Sequence, residues 1–283
     1  MPDDWWNEAK RRDRAELIDA SKANLVRVGD YMGGGRDNFE ADRKAVRAMI
    51  AVAPVVTTIV PAARAYHHRV VRYLTAEAGV RQFLDVSAGS ATSGRTHEVA
   101  QAIDPRCRVV YVSSEPMVLT HARALMNSAP EGAISCLDAD IRDGGAIVTG
   151  ARATLDFSRP VAVLLLSVSG LSYIADTAAA AAAVSGLAAA VPSGSYVALY
   201  HPGSDLHPAY RLAVRRWNQL SPHPITARSR QEVASLVAGL ELVPPGVVPI
   251  CDWQPAPSDP RFEEVVPFHG VVARKPSPSG RDT

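Results

Sequence analysis

From residue 80 onward, short apolar runs typical of β-strands alternate with stretches of helical character. The run Val161–Leu166 has no polar position, which is typical of a strand buried on both faces. This alternation predicts right-handed βαβ units and an open, mainly parallel sheet. The predicted strands are Gln82–Val86, Arg108–Ser113, Ala133–Leu137, Val161–Val168 and Ser195–Tyr200, and the helices between them are Thr96–Ile103, Met117–Met126 and Thr177–Ala190.

The first 75 residues have a different, helical pattern. Charged and apolar positions interleave over Trp5–Asn24, and further helices are predicted over Glu40–Ala51 and Pro61–Ala78. We therefore expect an N-terminal helical cap over residues 1–75 and a sheet domain over residues 76–275.

The end of the chain departs from the strand–helix alternation. Glu241–Ile250 and Phe268–Arg274 are β-like runs with no helix-length segment between them, and they predict an antiparallel hairpin that closes one sheet edge. Residues 276–283 are predicted to be a disordered tail.

Composition and charge narrow the function classes. The 283 residues carry 30 Lys and Arg against 29 Asp and Glu, which argues against a protein that binds nucleic acid through a basic surface. Three scattered cysteines without a CxxC pair predict neither a disulfide framework nor a metal site. The polar N-terminus does not suit a secretory signal, and Val161–Ile174 is shorter than the about 20 residues of a membrane span. We therefore expect a cytoplasmic protein.

Small and acidic residues follow the predicted strands, at the edge where open α/β sheets bind ligands. Asp85 and Gly89 come at the end of the first strand, Glu115 after the second, and Asp140 after the third. A small-residue loop admits a ligand to the backbone, while one acid accepts from ribose hydroxyls and another from an adenine amine. Because the loop has one glycine where a dinucleotide fold needs three, this nucleoside site favours S-adenosylmethionine over NAD.

Long strings of this sequence resemble the actinobacterial S-adenosylmethionine-dependent methyltransferase family formerly known as the domain of unknown function DUF574. The resemblance covers nearly the whole chain. The strings are GDYMGGGRDNFEADR (Gly29–Arg43), VVRYLTAEAGVRQFLDV (Val70–Val86), HEVAQAIDPRCRVVYV (His97–Val112), VLTHARALM (Val118–Met126), LDADIRD (Leu137–Asp143), LDFSRPVAVLLL (Leu155–Leu166) and LVPPGVVPI (Leu242–Ile250).

This resemblance implies a class I methyltransferase fold. Such a fold is a Rossmann-like α/β sheet of seven strands in the order 3-2-1-4-5-7-6, with strand seven antiparallel, here under an N-terminal helical cap. The implied cofactor is S-adenosylmethionine, with S-adenosylhomocysteine as its product. The cofactor-binding positions expected in and after the strands are Asp85, Ser87, Ala88, Gly89, Ser113, Glu115, Asp140, Ile141 and Ser167.

Three positions depart from the family pattern. Ser87 stands where the family has a glycine, and Ser113 where it has an aspartate that would hold the ribose. A serine offers no bidentate carboxylate, so Glu115 would have to reach back, and the change would weaken binding by about 1.5–3 kcal/mol. Within Ser169–Tyr173 the family histidine is absent and the loop is lengthened.

Each acid at a strand end also has a purely structural interpretation. Asp85 could cap the helix that follows it, and Asp140 could form a surface pair with Arg142. Glu115 could stabilise a helix start through the helix dipole.

The cap contributes further candidate residues. The glycine-rich turn Gly33–Gly35 is costly in entropy, so we expect it to close over the ligand with Tyr31, Asp37 and Asn38 facing the pocket. Arg43 or Arg64 would then bind a carboxylate. The alternative is a solvated turn between two helices.

Among the histidines, His201 is the candidate general base, because it directly follows the fifth predicted strand and histidine titrates near neutral pH. The pair His67 and His68 is expected to face solvent or to pack, and His97 to be structural.

The sequence thus predicts an enzyme that methylates a small molecule in secondary metabolism. Methyl transfer needs mainly in-line positioning and desolvation, so few catalytic residues are required. A second copy of the chain is a further expected partner. The alternatives are a repurposed, non-catalytic ligand-binding or partner protein, and an enzyme that uses the cationic cofactor for cyclisation or rearrangement.

Overall fold

A twisted, mostly parallel sheet forms the centre of the computed structural model, which describes residues 18–86, 95–125 and 127–277. Its strands are β1 (Gln82–Val86), β2 (Arg108–Ser113), β3 (Ala133–Asp138), β4 (Ala162–Leu165), β5 (Tyr196–Pro202), β6 (Glu241–Leu242), β7 (Val248–Pro249) and β8 (Phe268–Arg274). They follow the order β3-β2-β1-β4-β5-β8-β6, with β7 paired to β8. Strands β1 to β5 pair in parallel, whereas β8 is antiparallel to both β5 and β6.

Helices cover both faces of the sheet. They are α1 (Leu25–Met32), α2 (Glu40–Val52), α3 (Ile59–Arg72), α4 (Thr96–Ile103), α5 (Pro116–Leu125), α6 (Gly144–Ala151), α7 (Thr177–Ala190), α8 (Pro208–Leu220) and α9 (Arg230–Ser235). Helix α3 continues into a π-helical turn, Tyr73–Glu77. This topology is the class I methyltransferase fold that the sequence predicts, with β6 and β7 together in the place of strand six.

Several predicted boundaries need correction. The run Glu241–Ile250 is two short strands, because Pro244 and Pro245 interrupt the ladder and Gly246 turns the chain at φ 85°. Strand β8 lies between β5 and β6, which is the place of strand seven in the predicted order. Strand β4 ends at Leu165, ahead of the turn that Gly170 makes at φ 98°.

The first predicted helix, Trp5–Asn24, falls largely outside the described residues. The described helical cap begins at Leu25, where Asn24 is the N-cap and its side-chain oxygen accepts from the backbone N–H of Val26 at 2.8 Å. The tail from 278 also lies outside the described residues.

Alternation along the strands divides the core into two clusters. Phe83, Tyr111 and Tyr200 point to the face that packs against the cap helices, which we call the cap face. Leu84 and Leu199 point to the opposite face, against α6, α7 and α9. The period of two therefore places Asp85 on the cap face and His201 on the opposite face.

Candidate functional site

A cleft opens at the carboxyl ends of β2, β3 and β4, beside the end of β1. Four predicted cofactor residues line it: Ser113, Glu115, Asp140 and Ile141. Ser167 lies next to it, with its hydroxyl 2.8 Å from that of Ser169 in the cleft wall. The predicted loop residues Ser87, Ala88 and Gly89 lie outside the described residues.

Asp85 is the penultimate residue of β1, and its carboxyl is nearly buried, 7% exposed. Its Oδ2 accepts a hydrogen bond of 2.6 Å from the hydroxyl of Thr96, at the start of α4. Burial raises the pKa of Asp85 to about 7, although the Thr96 hydrogen bond opposes that rise. A carboxyl with a pKa near neutrality at this edge of the sheet is typical of a ligand-binding position.

The hydrogen bonds around Asp85 continue into the cap. His67 on α3 places its Nε2 2.8 Å from the Thr96 hydroxyl. On the other side, the Tyr111 hydroxyl accepts from the backbone N–H of His97 at 3.0 Å and lies 2.8 Å from His97 Nδ1. Sequence reasoning missed His67, because residues 67, 85 and 96 are brought together only by the fold.

Glu115 joins the cleft to the cap. The side-chain amide of Asn24 donates to Glu115 Oε1 at 3.0 Å, and the backbone N–H of Glu115 donates to the Ser113 hydroxyl at 3.2 Å. Ser113 is itself buried. The two residues expected to replace the family's ribose-binding aspartate are therefore adjacent, and one of them contacts the cap.

Asp140 lies in the cleft wall and also forms the surface pair that the sequence offered as its alternative. Arg142 donates to both carboxylate oxygens at 2.7 Å, from Nε and Nη2, and adds its backbone N–H at 2.8 Å. These hydrogen bonds hold the pKa of Asp140 below its usual value. The carboxylate is ionised and available as an acceptor at the cleft.

The glycine-rich turn is organised by a buried acid of α1 rather than by the cleft. Asp30 Oδ2 accepts from the backbone N–H of Asp37 at 2.8 Å and from the Asn38 amide at 3.0 Å. A Cβ at Gly35 would lie only 2.0 Å from Asp30 Oδ1, so this position needs glycine.

The expectation that Tyr31, Asn38 and Arg64 face the ligand stays a prediction. Arg43 donates to the Asn38 side-chain oxygen at 2.9 Å, and Tyr31 packs on the core of the cap face. Arg64 lies beside Gly33 of the same turn. None of Tyr31, Asn38 and Arg64 is among the described residues that line the cleft.

His201 does not fit the predicted role of general base. It is 1% exposed on the face opposite Asp85, where its Nε2 accepts from Arg228 Nη1 at 2.7 Å and its Nδ1 lies 3.1 Å from the Pro202 carbonyl. Burial lowers its pKa to about 4. A neutral imidazole with both nitrogens engaged cannot reach a substrate in the cleft.

The fold and the cleft together define a nucleoside-binding α/β protein with acids at the ends of β1, β2 and β3. Comparison with known proteins then gives the family. Residues 11–276 match the model of the S-adenosyl methyltransferase family, and the chain belongs to that family. Its cofactor is accordingly S-adenosylmethionine. Among curated proteins, no sequence matches this chain.

Two solved structures are similar over almost the whole chain. A DUF574 family protein from Streptomyces avermitilis MA-4680 is 36% identical, with a TM-score of 0.86 over 91% of this chain and 99% of its own. A candidate methyltransferase from Thermobifida fusca YX is 33% identical, with a TM-score of 0.82 over 96% of this chain and 100% of its own.

The chemistry of the cleft fits this cofactor. S-adenosylmethionine presents an ammonium group, two ribose hydroxyls and an adenine amine, all of which are hydrogen-bond donors. The described cleft and the adjoining end of β1 present acceptors: Asp85, Ser113 with Glu115, and Asp140. In the described part of the chain, no cluster of three or more metal-ligating side chains occurs, and no helix is both long and apolar enough to cross a membrane.

Proposed function

We propose that this protein is an enzyme that transfers the methyl group of S-adenosylmethionine to a small molecule, in the cytoplasm and in secondary metabolism. The supporting observation is the row of acceptors at three neighbouring strand ends, in a chain of the S-adenosyl methyltransferase family. When bound, the cofactor supplies a methyl group already activated by a sulfonium. The protein's own contribution is then to bind, orient and exclude water.

Each cleft residue has a proposed part in holding the cofactor. Asp140 accepts from the adenine amine, and the side chain of Ile141 supplies an apolar wall beside it. Ser113 and Glu115 share the ribose hydroxyls. Asp85 faces the cationic amino group, whose charge favours the ionised carboxylate. Ser87, Ala88 and Gly89 form the loop that admits the ligand to the backbone, and Ser167 completes the neighbouring wall.

The acceptor pocket is proposed to lie between the cap, residues 1–75, and the loop Ser169–Tyr173 of the sheet domain, residues 76–275. The Tyr173 side chain in this loop lies near both Glu115 and the backbone of Leu25 in the cap, and burial raises its pKa. The Tyr173 hydroxyl itself is buried. A second copy of the chain is the proposed protein partner.

Calorimetric titration with S-adenosylmethionine and S-adenosylhomocysteine tests the proposal. We expect micromolar binding by the wild type and at least about tenfold weaker binding by Asp85→Ala, because a charge-assisted contact is worth about 1.5–3 kcal/mol. Asp252→Ala, an exposed acid beyond β7, is the matched control and should bind as the wild type. No binding at millimolar ligand by folded protein would overturn the proposal.

A second candidate, a repurposed member that binds a ligand without methylating, is favoured by one specific observation. Both partly buried acids of the cleft already have protein partners, Glu115 with Asn24 and Asp140 with Arg142. This second candidate also includes an enzyme that binds the cofactor but catalyses a cyclisation or rearrangement instead of methyl transfer. Tight binding of S-adenosylhomocysteine, with no methyl transfer to nitrogen, oxygen or carbon acceptors of several classes, would favour it over the first.

A further inference from the structure

A chain of three side chains crosses from the cap to the cofactor edge of the sheet. His67 Nε2 on α3 lies 2.8 Å from the Thr96 hydroxyl on α4, and this hydroxyl lies 2.6 Å from Asp85 Oδ2 on β1. Thr96 is fully buried and His67 is half-buried. The chain therefore connects a titratable imidazole to the carboxyl of the site through a single hydroxyl.

The direction of the hydrogen bonds links the two end groups. When Thr96 donates to an ionised Asp85, its oxygen accepts a hydrogen bond from His67 if the Nε2 of that ring carries a proton. When Asp85 is protonated, the chain can reverse, so that Asp85 donates to Thr96 and Thr96 to an unprotonated Nε2. A proton on His67 Nε2 thus favours the charged form of Asp85.

The other ionisable groups around Asp85 do not compete for this role. Tyr111 from β2 and Tyr200 from β5 face it, and burial raises the pKa of both phenols, so both stay neutral. His97 of α4 is held by the Tyr111 hydroxyl, and burial lowers its pKa. The charges of Glu98 and Arg95, at the start of α4, act on the pKa of His97 in opposite directions, and Arg95 also opposes the rise in the pKa of Tyr111.

We propose that His67 is a positioning residue that acts through Thr96 to hold Asp85 in its charged form, and so sets the pH range in which the site binds its cofactor. The effect of His67 on cofactor binding rests on the proposed function. Its effect on the charge of Asp85 does not. S-adenosylhomocysteine carries the same cationic amino group as the cofactor, so its binding reports on the charge of Asp85.

The matched pair of variants is His67→Leu and His68→Leu, since His68 is the adjacent histidine and its side chain is exposed. We expect His67→Leu to bind S-adenosylhomocysteine about threefold to tenfold more weakly than the wild type at pH 7, the loss of one hydrogen bond. At pH 8.5 the affinities of His67→Leu and the wild type should become equal, because Asp85 is then ionised in both proteins. His67→Gln, which keeps an N–H donor, should recover most of the affinity, and His68→Leu should follow the wild type.

A second readout needs no ligand. Carbon-13 NMR of the Asp85 carboxyl in the unliganded protein should show its titration midpoint moving up by about 0.5 to 1 pH unit in His67→Leu and remaining in place in His68→Leu. An unchanged midpoint overturns the proposal, as does a loss of affinity in His67→Leu that is equal at pH 7 and pH 8.5. If the wild type binds no S-adenosylhomocysteine, the proposed function fails, while the carboxyl titration still decides the role of His67.

Discussion

Arg228 has no exposed surface and, among the described residues, no ion pair. Its guanidinium instead donates to His201 Nε2 at 2.7 Å and to the carbonyls of Leu171 at 3.3 Å and Ile174 at 2.5 Å. Buried polar groups are costly unless they are paired, and here one arginine satisfies several acceptors at once. Because Ile174 lines the cleft and Leu171 directly follows Gly170 of its wall, Arg228 fixes that wall from behind.

Replacing this arginine should therefore destabilise the folded protein more than replacing a surface residue does. We expect Arg228→Met to lower the free energy of unfolding by about 3 kcal/mol, since the buried carbonyls and the His201 nitrogen lose their donor. Urea denaturation measures the loss. Arg230→Met, two residues on and exposed, is the control and should change stability by less than about 0.5 kcal/mol. A loss below about 1 kcal/mol in Arg228→Met would contradict this account.

The two histidine predictions show what a sequence reveals about single residues. That His201 ends a strand was predictable, and so was the face it occupies, because the alternation with Leu199 places it opposite Asp85. Its burial by Arg228, 27 positions away in the chain, was not. His67 was overlooked for the same reason: its partners Thr96 and Asp85 are distant in sequence and lie on other elements.

At the scale of elements, one contact joins the first cap helix to the sheet. Asn24 caps α1 with its side-chain oxygen, and its amide donates to Glu115 at the end of β2. One side chain thus performs two tasks with its two ends. An N-cap is worth about 1 kcal/mol, and a neutral donor to a carboxylate contributes a similar amount.

The two tasks of Asn24 can be separated by substitution. Asn24→Asp keeps a good N-cap but places a carboxylate against Glu115, so we expect it to lower the free energy of unfolding by about 1–2 kcal/mol. Adding Glu115→Gln restores a donor–acceptor pair with the roles exchanged, and the double variant should recover most of the loss. Urea denaturation of the two single variants and the double variant gives the coupling energy. A double variant no more stable than Asn24→Asp would show that the contact contributes nothing.

The elements themselves were largely predictable where the local pattern is strong. Strands β1 and β2 and helices α4 and α7 have the predicted bounds, because continuous apolar runs and helical periodicity determine them locally. The division of Glu241–Ile250 was not predicted, although the two prolines and the glycine within it indicate a turn. The glycine-rich turn was placed correctly, but the sequence did not reveal that buried Asp30 occupies the space that its glycines leave.

At the scale of the whole molecule, two buried groups act on stability in opposite directions as the pH changes. Burial raises the pKa of Asp85 to about 7, so between about pH 4 and 7 the folded chain binds a proton that the unfolded chain releases. Burial lowers the pKa of His201 to about 4, so between about pH 4 and 6.5 the unfolded chain binds a proton that the folded chain lacks. His97, whose pKa burial also lowers, acts in the same sense as His201.

The pH dependence of wild-type stability between pH 4.5 and 6.5 is therefore the sum of two contributions of opposite sign. Asp85 makes stability fall as the pH rises through this window, and His201 makes it rise, each by about 1.4 kcal/mol per pH unit at most.

We expect that removing either group leaves the pH dependence caused by the other. Relative to the wild type, Asp85→Asn should gain stability as the pH rises from 4.5 to 6.5, and His201→Gln should lose it, by about 2 kcal/mol each across the window. Urea denaturation at five pH values gives both slopes, and the exposed His223→Gln is the control. Parallel curves for Asp85→Asn and the wild type would mean that Asp85 is ionised in the folded protein throughout, and would contradict its raised pKa.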